Sequence, residues 1–226
     1  MDWVRAIERN SEALNGVVAA IFAMLGLAGG AAPVRIPLAL RLSVLRLLRP
    51  AESALRRLIV IAARGLVVKP APSRPMPKGR IGKGGNSRPA FQLFDPRKNF
   101  EAPRRRVFAK IAPRIHFFAS DPRVAALWQA PVPAADPAPP PDGLVTAKRL
   151  IRRVQALKLA LENLPRQAKR LARWRLKRET AKNPKFIFPL RLGRPPGYRE
   201  KPSHEVDFVL IECHGLAHDA LKPDTS

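Results

Sequence analysis

The sequence predicts a mainly α-helical, non-compact chain, and three observations carry that expectation. Apolar residues between 147 and 171 recur at alternating steps of three and four, an uncharged run of 22 residues lies near the N-terminus, and fifteen of the 25 prolines fall between 70 and 142. The first is the period of an amphipathic helix, the second has the length of a membrane span, and the third breaks regular structure. The chain also carries 42 Lys and Arg against 17 Asp and Glu, a formal net charge of +25. Charge of this size repels itself in a compact state and suits an anionic partner, such as phospholipid headgroups or nucleic acid.

Residues 1–69 are predicted to form a membrane-associated helical region. The opening segment is polar and helical, and no formal charge appears from Ala13 to Val34. A span needs about 20 residues. Three readings of 13–34 stand: a transmembrane helix, a helix buried in protein or lying in the interface, and a cleaved signal peptide. Asp2, Glu8 and Glu12 oppose the last, because a signal peptide begins with positive charge. If the run spans, Arg35, Arg41, Arg46 and Arg49 behind it place the C-terminal part in the cytoplasm. Two further helices are expected, at 37–49 and 51–68, divided at Pro50. Arg49, Arg56, Arg57 and Arg64 then share one stripe suited to lipid headgroups, with Leu55, Leu58, Ile59, Ala62 and Leu66 largely on another face; the alternative is an ordinary amphipathic helix packing on a neighbour.

Residues 70–142 read as a Pro-rich, largely irregular and disordered linker, with short helical pieces near 104–112 and 121–129. Phe117, Phe118 and Trp128 are candidate docking points within it. The GRIGKGG stretch there is no phosphate loop, since Lys83 is followed by Gly84 and no buried strand precedes it.

Residues 143–182 are predicted to form a long basic amphipathic helix. Leu150, Val154, Leu157, Leu161, Leu164 and Leu171 line a coiled-coil-like seam for a partner helix, within the chain or in a second copy. Pro165 should kink or divide it. Residues 143–202 hold eighteen basic against three acidic side chains. Arg166, Lys169, Arg170, Arg173, Lys177 and Arg178 crowd around Trp174, a face that would neutralise lipid or nucleic-acid phosphates. Trp174 would stack on a base or anchor at a lipid interface.

Residues 183–226 end in a short acidic helix over 203–221, with Ser203 as its N-cap. The alternative role for its negative charge is to fold back on the basic helix and lower the cationic surface open to partners. The segment holds the single cysteine, Cys213, and three of the four histidines. His214 and His218 have helical i,i+4 spacing, but the pattern is not HExxH and a glycine separates them, so no metal site is assigned. No nucleophile elbow, dinucleotide fingerprint or paired-carboxylate setting occurs, so neither a catalytic residue nor a cofactor is expected. No helix-turn-helix, zinc-finger or RNP-type pattern supports base-specific readout.

The stretch LLRPAESALRRLIVIAARGL (47–66), together with the ending from GRPPGYREKP to the last residue (193–226), resembles a family of small basic bacterial proteins with no assigned function. The resemblance implies a bacterial source and no activity. The expectation is therefore a non-enzymatic, membrane-associated scaffold or adaptor that contacts anionic lipid and a helical partner. The alternative is a nucleic-acid-binding protein using the basic 143–202 region.

Overall fold

A computed structural model describes residues 2–27, 32–69, 89–96, 143–181, 188–191 and 193–221. The expected helical pieces at 104–112 and 121–129, the GRIGKGG stretch, and Phe117, Phe118 and Trp128 lie outside these residues.

Helix α1 spans Trp3–Met24, and Asp2 caps it by accepting the Arg5 backbone N–H at 3.1 Å. Its buried residues, Asn10, Leu14, Val17, Val18 and Ile21, recur at helical spacing and form one face. The helix stops at Gly26, whose φ of +64° ends the α-conformation inside the uncharged run. From Ala13 to Met24 the apolar helix rises about 18 Å, against a hydrocarbon core of about 30 Å. Among the described residues no helix is long and apolar enough to cross a membrane. The expected transmembrane helix at 13–34 is thus corrected: the run is broken by Gly26, and its apolar face packs in the protein core.

Helix α2, Leu38–Ala62, runs straight through Pro50. Two helices divided there were expected. A proline inside a helix costs about 3 kcal/mol. Here Leu48, Ala51, Ala54, Leu55 and Leu58, on both sides of the proline, are completely buried, and fully burying a leucine contributes roughly 2 kcal/mol. From Pro50 to Ile61 all but one residue is buried, so this half of α2 is the central rod of the fold. It ends before Gly65, at φ +68°.

A two-stranded antiparallel ribbon brings the chain back after the middle region. Strand β1, Arg35–Pro37, pairs with β2, Leu144–Thr146, with Ile36 opposite Val145. Helix α3, Lys148–Glu162, and helix α4, Leu164–Glu179, follow. They are the single long helix of the sequence reading, divided at Asn163. Pro165 sits in the first turn of α4, where its missing N–H leaves no bond unmade. Helix α5, Glu205–Leu221, completes the fold.

All five helices of the described residues contribute to one apolar core. A non-compact chain was expected from its prolines and its self-repelling charge, and alanine buries little area of its own. Ala51, Ala54, Ala147, Ala160, Ala168 and Ala217 are instead buried where helices meet, and small side chains let backbones approach closely. Residues 89–96, expected to be part of an irregular linker, have no helix or strand, yet Phe91 and Leu93 are buried in the same core. The seam residues Leu150, Val154, Leu157, Leu161, Leu164 and Leu171 are all buried there too, and α3 and α4 pack on α1 and α2. The seam's neighbours are helices of the same chain.

Candidate polyanion-binding face

With the seam turned inward, the heptad period forces the basic residues of α3 and α4 outward. Lys148, Arg149, Arg152 and Lys158 are exposed on α3, and Arg166, Lys169, Arg170, Arg173 and Lys177 on α4. The two helices carry only Glu162 and Glu179 as acids, and Lys158 Nζ lies 3.9 Å from Glu162. Arg149, Arg166, Lys169, Arg173 and Lys177 have no ion-pair partner among the described residues. At the junction of the helices, Glu162, Asn163, Pro165, Arg166, Lys169 and Arg173 line a cleft of about 470 Å³. A second cleft, of about 590 Å³, lies between α3 and the 89–96 segment and is lined by Arg149, Arg152 and Arg153 together with Arg56, Glu52 and Gln92.

Not every predicted contact residue belongs to this face. Arg170 Nη1 donates to the Phe91 carbonyl at 3.0 Å, which pins the 89–96 segment against α4. Trp174 is half-buried, with its ring edge-on to Phe94 at 4.9 Å, and the Arg178 guanidinium lies 5.8 Å from its centre. Trp174 therefore packs within the protein, and stacking on a base would require it to leave Phe94.

The arginine stripe of α2 is dispersed. Arg49 is exposed, and Arg64 lies over the Trp3 ring at 4.8 Å. Arg56 and Arg57 are buried, where an exposed headgroup contact was expected. The reason is the carboxylate of Asp95, which the 89–96 segment carries into the core. Arg57 Nη2 is 3.0 Å from Asp95 Oδ2, Arg57 Nη1 donates to the Ser53 carbonyl and hydroxyl at 2.9 and 2.7 Å, and Arg57 Nε donates to His214 Nδ1 at 3.1 Å. Arg56 lies 3.5 Å from Asp95 Oδ1 and 3.7 Å from Glu52, donates to the Gln92 carbonyl at 3.0 Å, and covers the Phe91 ring. Burial pulls the Arg56 guanidinium below its ordinary value, against the opposing pull of Glu52 and Asp95. Arg153 from α3 closes the group with two 2.9 Å bonds to Glu52. A buried charge survives only when paired and hydrogen-bonded, and this network meets that condition.

Ser53, His214 and Asp95 converge on Arg57 and not on one another. A guanidinium stays protonated and cannot act as a general base, so the cluster has no nucleophile–base contact and works as a structural clasp. His214 accepts from Arg57, which requires its neutral form. Burial, then Arg57 and His218, push its pKa down to about 4. Cys213 is buried, and burial pushes its thiol up to about 12. His218 packs edge-on against His214 at 4.5 Å. Among the described residues no group of three or more His, Cys, Asp or Glu is placed to hold a metal.

The acidic helix α5 does not fold back on α4. Glu212 pairs with Arg9 and accepts from Asn10 on α1. Its N-terminus is capped in the reverse sense to the one expected: Asp207 Oδ2 accepts the Ser203 and His204 backbone N–H groups at 3.1 and 3.2 Å, while the Ser203 hydroxyl accepts from Arg199. Among the described residues, α5 thus leaves the α3–α4 face unscreened. Sequence reasoning missed Arg149 and Arg152 on that face, although the seam frame that buries Leu150 and Val154 also turns them outward. It missed Asp95 for a different reason: nothing local marks a carboxylate that will pair with arginines 38 and 39 residues earlier.

Compared with protein-family models, curated proteins and solved structures, the chain has no significant match.

Proposed function

We propose that this chain is a non-enzymatic basic protein that binds the phosphate backbone of nucleic acid, without base-specific readout, through the outer face of α3 and α4. The observation that carries the reading is the cationic row Arg149, Arg166, Lys169, Arg173 and Lys177, exposed and without ion partners among the described residues.

The same geometry argues against lipid as the preferred anion. An interfacial helix lays its apolar face into the bilayer. Here the apolar seam of α3 and α4 is occupied by α1 and α2, and Leu159 is the one large apolar side chain of these helices counted as exposed. A predominantly polar, cationic face suits a phosphate backbone, where affinity comes from released counterions. Trp174 held against Phe94, and the lack of a reading-head motif, both favour contacts that position phosphates over contacts that read bases.

The test compares labelled DNA and RNA with vesicles containing phosphatidylserine, at several salt concentrations, using the full chain. Nucleic-acid binding that weakens steeply with salt, together with poor vesicle binding, supports the reading. Preferential vesicle binding overturns it.

A further inference from the structure

A second cationic site lies on α2, away from the residues used above. The residues Pro195-Pro196-Gly197-Tyr198 form a tight turn in which the Tyr198 N–H donates to the Pro195 carbonyl at 3.1 Å. Gly197 has φ +85°. Proline second and glycine third is the pattern of a type II turn, which needs positive φ at the third position. A Cβ on Gly197 would stand 2.6 Å from Pro50 N and 2.9 Å from Pro50 Cα. The turn therefore rests directly on the α2 backbone, at the one interior position of the helix where there is no N–H. The proline inside α2 and the glycine in the turn form one joint.

That joint creates a cleft of about 340 Å³ lined by Arg46, Arg49, Arg199, Tyr198, Leu42 and Leu45. Arg46 and Arg49 lie one turn apart on α2, are exposed, and have no ion-pair partner among the described residues. Arg199 reaches the cleft from the other wall. Its guanidinium is held in place by the Ser203 hydroxyl at 3.2 Å and lies 3.7 Å from Asp207. Among the described residues no carboxylate lines this cleft. By contrast, the cleft between α1 and α5 is lined by Asp2, Glu8, Glu12 and Glu212 as well as arginines. Arg46 and Arg49 carry charge that no described carboxylate offsets, Arg199 is positioned by its pairing with Asp207, and the planar forks of all three match phosphate oxygens. Tyr198 and the two leucines supply an apolar wall for whatever body carries the phosphate.

We propose that this cleft binds a phosphate monoester carried on a small organic body. The proposal stands independently of the nucleic-acid face. Tyr198 is the only tyrosine in the chain, so tyrosine-selective isotope labelling of the full protein gives one ring signal, located at the site. The test titrates inorganic phosphate and phenyl phosphate at constant ionic strength, balanced with sodium chloride. A saturable shift of the Tyr198 signal is expected with both, at lower concentration for phenyl phosphate. The Arg46→Ala/Arg49→Ala pair should weaken both by about tenfold or more, since each bond to a charged group is lost. Both residues are exposed, so the thermal melt of this variant should match the parent. Arg199→Lys, which keeps the charge and loses the fork, should also weaken binding. Arg166→Ala/Lys169→Ala should leave phosphate binding unchanged while reducing nucleic-acid binding, so the two sites can fail separately. A drift no larger than that caused by sodium chloride, or undiminished affinity in Arg46→Ala/Arg49→Ala, overturns the proposal.

Discussion

Arg57 of the central helix and Asp95 of the 89–96 segment meet inside the core, 3.0 Å apart, with their side chains 0% and 1% exposed. Asp95 also accepts the Arg191 backbone N–H at 3.1 Å, and its own N–H donates to the Pro189 carbonyl at 3.0 Å. Asp95 therefore ties two separate stretches of chain, 89–96 and 188–191, to α2. Among the described residues, removing it strands the buried Arg57 guanidinium without a carboxylate and leaves Arg56 only Glu52. Asp95→Ala should lower the free energy of unfolding by about 3–5 kcal/mol, the usual cost of breaking a buried pair from one side. Replacing both partners, as Arg57→Met/Asp95→Leu, should cost less than Asp95→Ala alone. Urea unfolding at neutral pH measures both, and a double variant worse than the single one would show that the pair itself, not the stranded charge, carries the stability.

Acid should loosen the same region. His214 accepts a hydrogen bond from Arg57 and faces His218, and burial, then Arg57 and His218, hold its pKa at about 4 against an ordinary 6.5, with Asp95 opposing. The unfolded chain binds a proton on this group at higher pH than the folded chain does. Stability should therefore be complete above about pH 6.5 and decline as pH falls toward 4. His214→Gln should flatten the slope in that window. Thermal melts across the range give the comparison, and identical slopes in the two proteins would remove His214 from the account.

Cys213 is fully buried on α5, with its thiol pushed up to about 12 by burial. The thiolate is the reactive form, so the group should resist a thiol reagent at pH 8 in the folded protein. Reaction should appear at the rate of unfolding, and should accelerate with urea in step with the loss of helical signal. Immediate full labelling without denaturant would contradict its placement.

The seam was legible in the sequence, and so was its division near Pro165. Leu150, Val154, Leu157 and Leu161 keep a helical period over several turns, and a periodic signal of that length survives any tertiary context. Local rules failed at Pro50 and at Arg56–Arg57. A proline argues for a break and two adjacent arginines argue for solvent, and both arguments hold for an isolated helix. Tertiary burial overrode the first, and a carboxylate 38 residues away in sequence overrode the second. The basic face followed from composition once the seam was oriented. The cleft at Arg46, Arg49 and Arg199 did not, because only the fold brings a turn at 195–198 onto α2.

What the seam packs against has a direct consequence for self-association. Leu157 is 1% exposed and lies in the shared core. Leu157→Ala should cost about 2–5 kcal/mol through the cavity it leaves. Because its neighbours belong to the same chain, the unfolding midpoint of parent and variant should not move with protein concentration. A midpoint that rises with concentration would place the seam at a contact between copies.

The measurement that bears most directly on function is the salt dependence of nucleic-acid binding, for the parent and for Arg166→Ala/Lys169→Ala/Arg173→Ala. On duplex DNA each phosphate contact contributes a slope of about −0.9 to the log–log plot of affinity against salt. The variant should lose about three units of slope if all three residues touch phosphate, and should weaken binding alike for unrelated sequences. All three side chains are exposed, so the fold should be unaffected. A slope unchanged by the triple substitution, or binding that ignores salt, would contradict the assignment of this face to nucleic-acid phosphates.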